Sequence, residues 1–116
     1  MPLMSETCLF CRIVAGEIPA QIVAQNDQCI AFRDVAPQAP LHVLVVPRAH
    51  VASLSAGEDA AMIGAVAMLA AQVARDAGYA ERGFRTVVND GPDAGQTVSH
   101  LHMHVLAGRP LAWPPG

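Results

Sequence analysis

The segment SHLHMHVLAGRP, residues 99–110, sets His100, His102 and His104 at alternate positions, with Leu101, Met103 and Val105 between them. The chain holds five histidines, and three of them lie here. On a helix, residues two apart point to nearly opposite sides. On a strand they share a face, about 6.5–7 Å apart along the chain. Strict alternation of this kind marks a half-buried strand. The pattern predicts three imidazoles in a row on one face, with Leu101, Met103 and Val105 buried on the other. A merely solvated face is a poor account, because Lys, Thr and Glu solvate a strand without titrating near neutral pH.

Composition narrows what such a strand can serve. A chain of 116 residues suits one domain with a modest core. Apolar residues are 53 % and charged residues 15 %, which describes a folded soluble protein. Net charge is −3 with no run of Lys or Arg, against a nucleic-acid or membrane surface. A small anionic ligand at a local site remains compatible with that charge. MPLMSETCLFCR is too polar and interrupted for a secretory signal, and AAMIGAVAMLAAQVA is too short to span a membrane. Three cysteines, an odd number, fit a reducing cytoplasm better than a disulfide scaffold.

The remaining elements follow from local pattern. CLFCRIVAGEIPA reads as a short helix from about Cys8 to Ala15, stopped by Gly16 and Pro19. QIVAQ and CIAFRD read as two strands around the turn Asn26-Asp27. APQAP is a rigid loop and LHVLVVP a third strand. Ser55 and Glu58 form an S-x-x-E capping box ahead of a long helix. Met62, Val66, Leu69 and Val73 fall at helical spacing in it, and Gly78 closes it. FRTVVND is a fourth strand and LHMHVLAG the last. Cys29 reads as a small buried hydrophobe. Strands clustered around one major helix predict an α+β domain with a mostly antiparallel sheet.

The loop before the histidines, NDGPDAGQTVSH, carries Gly91 and Gly95, which allow close backbone approach to a ligand. Asn89, Gln96 and Thr97 offer donors, and backbone N–H groups of such a loop can cradle an anion. Phosphate beside imidazole suggests attack on phosphorus by a neutral histidine nitrogen, giving a phospho-histidine. A row of donors would hold the developing charge. An imidazole with its ordinary pKa near 6.5 is largely neutral at pH 7 and suits that role. A metal site built from the same three histidines is the competing reading.

SHLHMH followed by VLAG resembles the H-x-H-x-H-x-x motif of the histidine triad superfamily. RPLAWPPG looks like the C-terminus of its Hint branch, the histidine triad nucleotide-binding proteins. CLFCRIVAGEIPA, AFRDVAPQAPLHVLVVPRAH and VVNDGPDAGQTVSH resemble successive blocks of the family in the same order. The resemblance runs from about Cys8 to Gly116. It implies a single domain over 1–116, with a core at about 8–110 and a tail at 111–116. It also implies a five-stranded antiparallel sheet with one long and one short helix, and a homodimer with a continuous ten-stranded sheet.

The resemblance also implies roles. His102 matches the nucleophile that attacks the α-phosphorus, and His104 the partner that binds phosphate oxygen. His42 matches a fourth active-site histidine. Asn89, Gly95, Gln96 and Thr97 match the phosphate loop, with Thr97 where many relatives have Ser. Asp34 matches the acid that accepts from the ribose hydroxyls. Leu9, Phe10, Ile13, Ile18, Phe32 and Val35 match the apolar slot for the base. Trp113 resembles a tail residue that reaches the partner subunit's rim. Ser99 stands where relatives often have an aromatic residue, which implies a more open rim.

The C-x-x-C spacing of Cys8 and Cys11 puts two thiolates within reach of one metal, and structural zinc takes four ligands. His50 and His100 complete the set on the match to zinc-carrying members of the superfamily. The expectation is therefore a structural zinc on Cys8, Cys11, His50 and His100, with no cofactor required for the chemistry. The implied activity is hydrolysis of a purine nucleoside 5′-phosphoramidate such as an AMP or GMP adduct, the work of an adenosine 5′-monophosphoramidase. Hydrolysis of dinucleoside polyphosphates or adenylylated lysine is the alternative within the family. A nucleotide-binding scaffold is the alternative outside catalysis.

Overall fold

The computed structural model describes residues 7–116. The first six residues, part of the stretch compared above with a secretory signal, lie outside the described residues. Helix α1 spans Leu9–Val14, and strands β1 and β2 span Ile22–Gln25 and Cys29–Arg33. Strand β3 spans Leu41–Pro47, helix α2 Ala60–Asp76, β4 Arg85–Val87 and β5 Met103–Ala107. The five strands form one sheet in the order β1-β2-β3-β5-β4, and every pair is antiparallel.

Strand β3 is central, and all seven of its residues are buried. A strand covered on both faces reads as a continuous apolar run, which is what LHVLVVP shows apart from His42. One face of the sheet carries α2. There Val43, Val45, Leu101, Val105 and Ala107 pack with Met62, Val66, Leu69 and Val73 of the helix. The opposite face carries α1, whose Phe10, Cys11 and Ile13 pack on Ile30, Phe32, Leu44 and Val46. The two-residue period of the strands thus sends alternate side chains into two separate cores. The candidate site lies on the α1 face.

Helix α2 ends as its sequence predicts. Gly78 has φ +88°, its N–H bonds the Arg75 carbonyl, and the Tyr79 N–H bonds the Ala74 carbonyl. This is the paired closure that a left-handed glycine permits. Its start is a correction. Asp59 caps the helix, accepting from the Met62 N–H at 3.1 Å, and not the Ser55/Glu58 pair. Ser55 instead donates its backbone N–H to Asp90 at 2.8 Å, in a loop that the Gly57 turn onto the Leu54 carbonyl closes before the helix begins.

The last strand is a second correction. It runs over Met103–Ala107, so His100 and His102 precede the ladder and only His104 lies in it. The cause is Pro47. The register pairs Val45 with Met103, so continuing it would set Pro47 opposite Leu101. Proline has no N–H to donate. Leu101 turns its own N–H to the Val51 carbonyl at 2.6 Å. The alternation persists without the ladder: Leu101 and Val105 are in the α2 core with Met103 against it, while all three imidazoles lie on the other side. Strand β4 is also shorter than FRTVVND, stopping at Val87 before the glycine loop.

Candidate active site

His42 comes from the start of β3 and His104 from the β5 residue beside Leu44. Their proton positions follow from their partners, since a backbone N–H can only donate and a carbonyl can only accept. The Gln38 N–H donates to His42 Nδ1 at 3.0 Å. A neutral His42 therefore carries its proton on Nε2, which lies 2.9 Å from His104 Nδ1. His104 Nδ1 is then the acceptor, and its proton sits on Nε2. Burial pushes the His42 pKa down, with the Asp34 carboxylate opposing. Burial, then the neighbouring His102 and His42, push His104 down to about 4, again against Asp34. Both rings are neutral at pH 7, as the relay requires. Asp34 Oδ2 lies 3.5 Å from His42 Nε2, so this contact is a dipole facing a carboxylate and not a salt bridge.

His102 Nδ1 lies 2.7 Å from the His100 carbonyl oxygen. It must donate, which leaves the Nε2 lone pair available. No buried side-chain nitrogen or oxygen among the described residues lacks a partner, so the unpartnered Nε2 of His102 reaches solvent. Its ring centroid is 5.1 Å from that of His104. A nucleophilic nitrogen and an N–H donor thus stand side by side.

The third histidine of the row goes elsewhere. His100 is fully buried, and its Nε2 donates to the Pro47 carbonyl at 2.9 Å. Its Nδ1 faces Cys8 Sγ at 3.3 Å and Cys11 Sγ at 3.5 Å. His50 Nδ1 lies 3.3 Å from Cys11 Sγ. The four ligand atoms are all within 4.8 Å of one another. Zinc bonds of about 2.3 Å to sulfur and 2.0–2.1 Å to nitrogen, at tetrahedral angles, put S and N about 3.5 Å apart. The donor set and its spacing therefore fit zinc. Burial pushes the His100 pKa down to about 4, against the Pro47 hydrogen bond. The ring is thus a neutral ligand, and Pro47 fixes its tautomer in the way that outer partners orient metal-binding histidines. A single metal site made of all three histidines of the row does not form, because His100 turns to the cysteines and His104 to His42. The Asp34, His42 and His104 ligand atoms also lie within 4.8 Å of one another. There the Gln38 N–H occupies His42 Nδ1 and leaves a proton, not a lone pair, on Nε2.

Cys8 caps α1 and accepts from the Cys11 N–H at 3.4 Å. Between them Phe10 packs edge-on against His100 and His102, with centroids 5.9 and 5.1 Å apart, and against Phe32 at 5.5 Å. Of the other apolar candidates, Ile13 is buried and Ile18 packs on the same cluster. Leu9 is 44 % exposed and Val35 wholly exposed.

The glycine loop closes on itself. Gly91 and Gly95 have φ of +87° and +83°. The Gly91 N–H donates to Gln96 Oε1, the Gly95 N–H to the Pro92 carbonyl and the Gln96 N–H to the Gly91 carbonyl. Gln96 Nε2 reaches the carbonyls of Ala52 and Val98. Gln96 is therefore the tie of the loop, and the donors left facing outward are at Thr97, which is exposed, and half-buried Asn89. Beside Thr97, an open cavity of about 400 Å³ is lined by Ser99, His50, Cys8 and Leu9. Trp113 is 82 % exposed and makes no ring contact with the row.

Three participants carry no signal in the sequence: the Gln38 N–H, the Pro47 carbonyl and the His100 carbonyl act through backbone, where any residue supplies the carbonyl and any but proline the N–H.

The chain belongs to the HIT family: the HIT domain model matches residues 15–111. An uncharacterised HIT-like protein of Synechococcus elongatus is 51 % identical, over 97 % of this chain and all of its own length. The HIT family hydrolase from Legionella pneumophila superposes with a TM-score of 0.92 at 41 % identity, covering 95 % of this chain and all of that one. A zinc-bound histidine triad family protein from Mycobacterium smegmatis gives 0.78 at 32 % identity, covering 89 % of this chain and 76 % of that one.

Proposed function

We propose that the protein hydrolyses the P–N bond of a purine nucleoside 5′-phosphoramidate, releasing the nucleoside monophosphate and an amine. The observation that carries this reading is the proton order of the row. The His102 Nδ1–H is held by the His100 carbonyl and leaves Nε2 as a lone pair, while His104 presents an N–H beside it.

In the first step His102 Nε2 attacks the α-phosphorus and the P–N bond breaks. The departing nitrogen takes a proton from solvent, relayed by the Thr97 hydroxyl. The nucleotidyl ring is cationic, and its Nδ1–H already points at a carbonyl oxygen. The His104 Nε2–H, with Asn89 and Thr97, holds the charge on the phosphoryl oxygens. Water then attacks phosphorus from the side the amine vacated, gives up its proton to solvent through the Thr97 hydroxyl, and His102 leaves with its lone pair restored. Gly95 and Gln96 shape the loop. Asp34 receives the ribose hydroxyls. Phe10, Phe32 and Ile18 hold the base from below, with Leu9 and Val35 at its rim.

Zinc on Cys8, Cys11, His50 and His100 supplies a crosslink between α1 and the strand carrying the nucleophile, and takes no part in the reaction. The homodimer, with Trp113 at the partner's rim, belongs to the same reading. A scaffold has no use for a histidine with a bare, solvent-facing lone pair. The test is turnover of an AMP–amine conjugate by the pure protein. Release of AMP and amine is expected. Cleavage of a dinucleoside polyphosphate but not of the conjugate would move the reading to the other branch of the family. Binding without cleavage of either would leave only the scaffold.

A further inference from the structure

Arg109 lies just past β5, outside the row, and no role in the chemistry has been given to it above. Its Nε donates to the Gln38 carbonyl at 3.0 Å, and Nη1 reaches the Pro110 carbonyl at 3.0 Å. The segment is pressed onto the 36–40 loop. Gly108 has φ +100°, and a Cβ there would meet Pro40 Cβ at 2.7 Å. Gln38 is the residue whose N–H sets the His42 proton order. Pro37 before it and Pro40 two residues after it have no N–H, so within the Pro37–Pro40 turn only Ala39 carries another.

We propose that Arg109 is a positioning residue: by holding the Gln38 carbonyl it fixes the N–H that sets the tautomers of His42 and His104. The reasoning is a chain of single hydrogen bonds. Gln38 N–H to His42 Nδ1, then His42 Nε2–H to His104 Nδ1, leaves His104 with an Nε2–H for the phosphoryl oxygen. If Gln38 swings away, His42 is free to carry its proton on Nδ1. Its Nε2 then becomes an acceptor, His104 must donate from Nδ1, and a lone pair faces the phosphoryl oxygen where an N–H stood. A lost contact at the surface thereby reverses a dipole at the reacting group, two residues away in the relay. The other supports of the loop do not substitute. The Asp34 carboxylate bonds the Ala36 N–H and the Gln38 side chain bonds the Ala36 carbonyl, so both hold the first half of the loop.

This inference rests on the reading of His104 as a phosphate donor, so its test needs a readout that requires no substrate. That readout is the set of ring nitrogen shifts of His42 and His104 in protein with ¹⁵N-labelled histidine, near pH 7.5. The wild type should show one Nε2–H tautomer for each ring. In Arg109→Gln the shifts of both rings should move toward mixed tautomers. Turnover of the AMP–amine conjugate should fall about tenfold in kcat with KM changed less than about twofold. Arg109→Lys keeps a charged donor and should restore part of both effects. Arg109 is exposed, so the variants should fold, and the lysine variant serves if the glutamine one does not. Ring shifts in Arg109→Gln identical to wild type would overturn the proposal, whether or not kcat falls. If the wild type cleaves no phosphoramidate, the ring shifts still decide the role of Arg109, and only the activity reading fails.

Discussion

The His100 carbonyl oxygen and His102 Nδ1 are 2.7 Å apart, and the His100 ring is the one that faces Cys8 and Cys11. A single residue therefore belongs to the candidate metal cluster through its ring and orients the proposed nucleophile through its carbonyl. Its ring is held from one side by Pro47 and from the other by the thiols. Its carbonyl holds the next imidazole.

Metal content is the first consequence. Protein purified without chelator should carry about one zinc per chain, the content of one four-ligand site. A metal that binds the native state at a hundred times its Kd stabilises it by about 2.7 kcal/mol, so EDTA should lower Tm by several degrees. Cys11→Ser should lose zinc and stability together. Less than a tenth of an equivalent, with Tm unmoved by EDTA, would contradict the site.

The relay makes a pH prediction. An unperturbed imidazole titrates near 6.5, and burial holds His104 at about 4. Between those values the unfolded chain binds a proton on His104 that the native chain does not. More protons on the unfolded state mean that stability rises with pH across this window. The contribution is whole above about 6.5 and is lost as pH falls toward 4. Urea unfolding of the wild type from pH 7 to 4 should show the fall, and His104→Gln should remove part of it. Parallel curves for the two proteins would contradict the buried, neutral ring.

How far the sequence shows this arrangement depends on whether side chain or backbone carries the information. The alternation of Leu101, Met103 and Val105 with the histidines is a side-chain pattern, and it places the imidazoles and the α2 core on opposite sides. It does not show where the ladder ends, because that depends on Pro47 standing opposite Leu101, a pairing between residues 54 apart in sequence. The helix start escapes for a similar reason. Ser55-x-x-Glu58 has the form of a capping box, but the Ser55 backbone N–H is bonded to Asp90, far along the chain, and Asp59 takes the cap. Cys8 and Cys11 are legible as candidate ligands from their C-x-x-C spacing, whereas His50 and His100 join them only through the resemblance to zinc-carrying relatives. The carbonyls and amides that set each ring's proton have no letter of their own.

The tail supplies a prediction about assembly. Trp113 is 82 % exposed on the single chain, Met68 of α2 is 67 % exposed, and Phe84 at the edge strand β4 is 38 % exposed. Exposed large apolar side chains of this kind suit a covered face. Sedimentation at micromolar concentration should give a dimer. Deleting residues 111–116 should change preference among leaving amines more than it changes Tm. A monomer, or a deletion that leaves amine preference intact, would contradict the proposed place of Trp113.

The central claim is that His102 is the nucleophile, and the direct measurement is the covalent intermediate. An AMP–amine conjugate mixed with the protein and quenched in base within the first turnover should leave one nucleotidyl group, found by peptide mass spectrometry on His102. His102→Ala should form no adduct, lose about 10⁴-fold or more in turnover and still bind AMP. A nucleotidyl group on any other residue, or full turnover by His102→Ala, would contradict the account.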